Sequence, residues 1–121
     1  MPYDEILAAR VSRHFAEKKI PFESKRMMGG LVFMVRGKMC VGVETDRLMV
    51  RLDPDHEAAA LKRAGCRPMD FTGRPMRGFV FVDRGVLRTA PQLASWLALA
   101  LAYNPKAKVS GKRRAGRKSL A

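Results

Sequence analysis

Residues Cys66 to Asp83 read CRPMDFTGRPMRGFVFVD. Two Arg-Pro-Met triplets, Arg67-Pro68-Met69 and Arg74-Pro75-Met76, precede the apolar run Phe79-Val80-Phe81-Val82. Proline locks φ and biases the residue before it toward extended backbone, so Arg67 and Arg74 are expected to stand out on tight turns. Gly73 and Gly78 supply the conformational freedom such turns need. The β-branched and aromatic run that follows predicts a strand buried on both faces. The expectation is a constrained cationic loop, Arg67 to Arg77, leading into a sheet.

Upstream, Asp4 to Lys19 has the spacing of a helix, with Leu7, Val11, His14 and Phe15 recurring on one side and Asp4 and Glu5 placed where the helix dipole favours anions. Ile20-Pro21 stops it. Phe22 to Met27 alternates as an edge strand, Gly29-Gly30 breaks the pattern, and Leu31 to Val35 connects through Arg36-Gly37 to Lys38–Val43 as a hairpin. Arg47 to Leu52 alternates, with Leu48, Val50 and Leu52 on one face and Arg47, Met49 and Arg51 on the other. Asp53-Pro54 then opens a second helix that Lys62, Arg63 and Gly65 close. Thr89-Ala90-Pro91-Gln92 has the form of a capping box for a last helix. No charge lies between Gln92 and Asn104, so that helix is expected either to be covered on two sides or to carry a homodimer contact through Leu93 to Tyr103.

These elements predict an α+β domain over residues 1–104: an antiparallel sheet of about five strands with helices packed against it, in the order α-β-β-β-β-α-β-α. From Pro105 the composition turns to Lys, Arg, Ala, Gly and Ser, which cannot offset ordering entropy, so residues 105–121 are expected to be a disordered basic tail.

Charge is the outlying bulk quantity, with 24 Lys and Arg against 11 Asp and Glu and a net of +13. All the acids lie at or before Asp83, whereas the segment after Asn104 carries seven bases and no acid. Such an imbalance favours polyanionic partners. The two cysteines form no CxxC pair, and the acidic start Met1-Pro2-Tyr3-Asp4-Glu5 is not a signal peptide, so a cytoplasmic protein is expected. The apolar run Leu93 to Tyr103 would extend roughly 16 Å as a helix, about half a bilayer core, so no membrane span is expected.

Several segments resemble the TfoX/Sxy N-terminal domain family: Lys25-Arg26-Met27-Met28-Gly29-Gly30-Leu31 to Phe33, Met39-Cys40, Leu48-Met49-Val50-Arg51, and above all Arg67-Pro68-Met69-Asp70-Phe71-Thr72-Gly73-Arg74-Pro75-Met76. The resemblance runs in order over residues 3 to 103, with Met28 where the family usually has an aromatic. It implies a small α+β domain with an antiparallel sheet, and kinship with bacterial regulators of natural competence. With no room for the second, helical domain of those regulators, the chain resembles their stand-alone members.

The expected function is a non-enzymatic regulatory or interaction domain, accessory to transcription, with a transcription-related protein as a candidate partner. Lys106, Lys108, Lys112, Arg113, Arg114, Arg117 and Lys118 are the candidate nucleic-acid contacts, non-specific and electrostatic, because no helix-turn-helix, zinc-ligand or RNP-like pattern is present to read bases. Arg67, Arg74 and Arg77, aided by Arg26 and Arg51, form a candidate anion site, set against the plainer expectation that they pair with Asp70 and Asp83. From these come two alternatives: a small enzyme or ligand-binding domain holding an anionic metabolite in the Arg67 to Arg77 loop, and a homo-oligomeric adaptor working through the last helix. Gly29-Gly30 precedes a strand and lacks the Lys-Ser/Thr of a phosphate loop, so a bulge or tight turn is expected there. His14, His56, Cys40 and Cys66 lack metal-ligand spacing, and no metal, cofactor or catalytic residue is assigned.

Overall fold

The computed structural model describes residues 3–27, 29–71 and 74–107, and of residues 70, 71 and 74–76 the backbone only. Helix α1 spans Glu5–Glu17, and its N-cap Asp4 accepts hydrogen bonds from the Ile6 and Leu7 amides, both at 3.0 Å. Just beyond its C-cap Lys18, Lys19 with φ of 59° turns the chain so that the Ile20 amide reaches back to the Phe15 carbonyl at 2.9 Å. Strands β1 (Glu23–Met27), β2 (Gly30–Val35), β3 (Lys38–Val43) and β4 (Arg47–Arg51) follow. The β2–β3 connection is Arg36-Gly37, with φ of 56° and 75°, the positive pair that a two-residue hairpin turn requires. Gly30 sits against the neighbouring strand so closely that a Cβ would meet the Val43 carbonyl oxygen at 2.3 Å.

After β4, Asp53 caps a single 3-10 turn, Pro54–His56, which continues as the short helix α2, Glu57–Leu61. Helix α3 spans Ala90–Tyr103, and its capping box is complete, with Gln92 amide to Thr89 Oγ1 at 3.2 Å and Thr89 amide to Gln92 Oε1 at 2.9 Å.

The Arg-Pro-Met triplets are not turns. The first lies in strand β5, Cys66–Phe71, and the second opens strand β6, Arg74–Asp83, so the two halves of the segment face each other as an antiparallel hairpin. The described strands therefore number six, in the order β1-β2-β3-β4-β6-β5, every neighbour antiparallel. Proline inside a run argues against a strand only where both edges must donate. Pro68 lies on the outermost strand, and Pro75 lies beyond Phe79, the last β6 residue paired in register with β4.

All three helices pack on one face. There Phe33, Val35, Val41, Val43, Leu48, Val50, Val80 and Val82 meet Leu7, Val11 and Phe15 of α1 and Leu93, Trp96 and Leu97 of α3. Phe15 and Phe33 stand edge-on at 6.0 Å, with Phe22 5.6 Å and 5.4 Å from the two, which ties α1 to β2. Trp96 is 2% exposed and carries the Arg63 guanidinium 3.9 Å above its ring, while Arg63 also donates to Ser95 Oγ at 2.6 Å. Helix α3 is thus covered along Leu93, Trp96, Leu97 and Ala100, and Leu99, Leu101 and Tyr103 are half-buried.

The packed chain does not stop at residue 104. Asn104–Lys106 make a 3-10 turn, and Ala107 is buried. Asn104, itself 2% exposed, donates to the Val35 carbonyl at 3.1 Å and accepts from Arg36 at 3.0 Å, while Lys38 Nζ donates to the Asn104 and Pro105 carbonyls at 3.1 and 3.2 Å. This clasp locks the end of α3 onto the β2–β3 turn.

Candidate functional site

Strand alternation sends successive side chains to opposite faces, so what the helices cover on one side dictates what is left on the other. The second face carries a separate cluster made from strand residues alone: Met49, Met69 and Phe81, with Met39 and Phe79 against it. Each described helix packs into the first layer instead. Gly42, opposite both Val32 and Met49, leaves a hollow on this face that the Met49 side chain fills.

Arginines border the cluster. Arg47, paired in register with Asp83, lays its guanidinium 3.6 Å from the Phe81 ring centroid and engages Glu44 through Nε at 2.8 Å. The Arg51 guanidinium is 5.4 Å from the Phe79 ring, and its Nη1 donates to the Met39 carbonyl at 3.4 Å. Arg67, in register with Phe81, forms an ion pair with Asp83 while its side chain stays 56% exposed. Stacking of a cation on an aromatic face contributes roughly 0.5–2 kcal/mol, depending on how much water is excluded.

Of the candidate anion-site residues, Arg67 is therefore paired with Asp83, one of the two partners the sequence suggested, and Arg77 is exposed. The Arg74 side chain lies outside the described residues. Arg26, in register with Leu31, belongs to the opposite alternation from Arg47 and Arg67. What the sheet brings to Arg67 instead is Arg47, beside the same Phe81 ring. The alternation of β4 placed Arg47 and Met49 on a common face, but only the strand order puts β6, and then β5, beside them.

Of the basic tail, Lys106 is exposed, with Nζ 3.9 Å from Asp53 Oδ2. Lys108, Lys112, Arg113, Arg114, Arg117 and Lys118, and with them the expected disorder, lie outside the described residues.

Burial pushes the Cys40 thiol up to about 12 and the Cys66 thiol up to about 11, so both are protonated at neutral pH. Burial, helped by the charge of Lys18, lowers the pKa of His14, and His56 is exposed on the turn before α2. Among the described residues no three His, Cys, Asp or Glu side chains come together to hold a metal. No helix of the described residues is long and apolar enough to cross a membrane. Two of the described hollows lie on the helical side: one of about 460 Å3 beside Asp4, Arg10, Arg84 and Arg88, and one of about 240 Å3 beside Arg13 and His14. Neither is lined by Arg67, Arg77 or a cysteine.

The architecture is that of a small α+β domain with helices on one side of an antiparallel sheet and an arginine-bordered second side. The chain belongs to the TfoX N-terminal domain family, whose model matches residues 15–103. That family is of a regulatory, competence type. No curated protein matches the chain, and no solved structure matches it.

Proposed function

We propose that this protein is a cytoplasmic, non-enzymatic regulatory domain, accessory to transcription, whose C-terminal basic segment makes weak, sequence-independent contact with nucleic acid. The observation that carries this reading is the charge distribution: seven bases and no acid follow Asn104. A segment of that composition releases counterions from a phosphate backbone without reading bases. The clasp on Asn104 supports it, because the chain enters the cationic segment from a root fixed at the already basic β2–β3 turn.

The test is duplex-DNA binding measured across a salt series for the intact chain and for one ending after Ala107, which keeps the clasp. The intact protein binds with a steep dependence on salt, and every phosphate that the segment neutralises adds about one to the logarithmic slope. Equal affinity and equal slope for the two chains would remove the tail from the function.

A further inference from the structure

We propose that the sheet face opposite the described helices is a docking surface for single-stranded nucleic acid, with unstacked bases laid on the Arg47–Phe81 pair and on Phe79 and phosphates held by Arg67 and Lys25. This surface is distinct from the tail, and its ligand is distinct from the duplex the tail would hold.

Three observations converge on it. The face is a sheet surface built from methionine and phenylalanine, with Phe79 and Met39 partly exposed and Met49, Met69 and Phe81 buried. A flat guanidinium already lies 3.6 Å from the Phe81 centroid and is itself about one-third exposed, so its outer plane presents the surface on which a base stacks. Finally, the cations are spread across the sheet: Lys25, in register with Val32, on β1, Arg47 on β4 and Arg67 on β5. On this face Lys25, Arg47, Arg51 and Arg67 stand against Glu23, Glu44 and Asp83, the last two already paired with Arg47 and Arg67, which leaves a small positive surplus for a phosphate backbone.

The geometry selects the ligand class. A broad sheet does not enter a duplex groove, and paired bases keep their π-faces inside the stack, so rings on this surface are of use only to an open strand. An acidic peptide would satisfy the arginines but leave the ring surfaces without a role.

The test uses the full-length protein and anisotropy of labelled oligothymidylate and of a duplex of equal length at low salt. The parent should prefer the single strand. Phe79→Ala and Arg47→Ala should each weaken single-strand binding roughly tenfold and leave duplex binding unchanged. A full-length variant with Lys112, Arg113, Arg114, Arg117 and Lys118 changed to Ser should lose duplex binding yet keep single-strand binding that Phe79→Ala still weakens, which separates this surface from the tail. Equal affinity of the parent for both forms, single-strand affinity untouched by the face substitutions, or displacement by polyglutamate as effective as by oligothymidylate of equal charge would each overturn the proposal. If either face variant fails to fold, amide shifts of the parent decide: perturbation at Met49, Phe79 and Phe81 on adding oligothymidylate supports the surface, and silence there refutes it.

Discussion

The guanidinium of Arg47 rests 3.6 Å from the centre of the Phe81 ring, two residues on adjacent strands β4 and β6 that share the face opposite the helices. Phe81 is 5% exposed, and no helix residue belongs to its cluster, so arginine contributes to the cover that an apolar layer supplies on the other side. Arg47→Ala should therefore lower stability by roughly 0.5–2 kcal/mol, and Arg47→Lys by less, because the ammonium keeps the charge but not the flat stack. Urea denaturation reads this directly; an unchanged midpoint for the alanine variant would mean that the stack contributes nothing.

Asn104 is the one buried polar side chain of the described core. Replacing it with Ala removes the donor to the Val35 carbonyl and the acceptor for Arg36, so a loss of roughly 1–3 kcal/mol is expected, together with release of Ala107. Thermal melting checks the first, and faster amide exchange at Ala107 the second.

Asp4 gives the fold a component sensitive to acid. Burial disfavours its charged form, but hydrogen bonds from the Leu7 amide and Arg84, the charge of Arg84, and the Ile6 amide outweigh that and hold its pKa below the ordinary 3.8. A depressed carboxylate contributes stability that is fully present above the ordinary value and lost as pH falls through the lower folded value. Asp4→Ala should cost roughly 1 kcal/mol at neutral pH, and the difference from the parent should shrink below about pH 4. Parallel melts at neutral and acid pH distinguish this from a pH-independent loss of packing.

Both thiols should resist alkylation in the folded protein. With pKa values of about 12 and about 11 and side chains tucked into the core, Cys40 and Cys66 are neither ionised nor accessible at pH 8. Iodoacetamide followed by mass spectrometry should find no label before denaturation and two after it. Rapid native labelling of Cys40 would reopen a nucleophilic role.

Gly30→Ala should be among the most damaging single-methyl additions, since the new carbon would fall 2.3 Å from the Val43 carbonyl oxygen, a backbone atom that cannot rotate aside. A loss of roughly 1–3 kcal/mol is expected. Gly29→Ala meets no neighbouring atom but carries the strain of φ +76°, so the two variants separate steric from conformational cost in the same turn.

Much of the architecture is legible in the sequence because its signals are local. Asp4, Asp53, Thr89 and Gln92 mark helix starts through bonds to amides two or three residues away, and Arg36-Gly37 marks a hairpin through its own dihedral preferences. The β5–β6 hairpin instead reads as a pair of turns, because the penalty of a proline in a strand depends on which edge is unpaired, and that is a property of the sheet. Likewise the composition starts the basic segment at Pro105, yet Asn104 and Ala107 are buried, and the bonds that hold Asn104 come from β2 and β3, which no local pattern connects to it.

The amino-acid order by itself determined the charge surplus, its concentration after Asn104, and the alternation that places Arg47 and Met49 on a common face, because these are properties of composition and of a fixed two-residue period. Only the tertiary structure decided that no described helix packs on this face, that Arg47 rests on Phe81 and that Arg67 stands in register with it. Those relationships join residues far apart in the chain, and they exist only once β6 has inserted between β4 and β5.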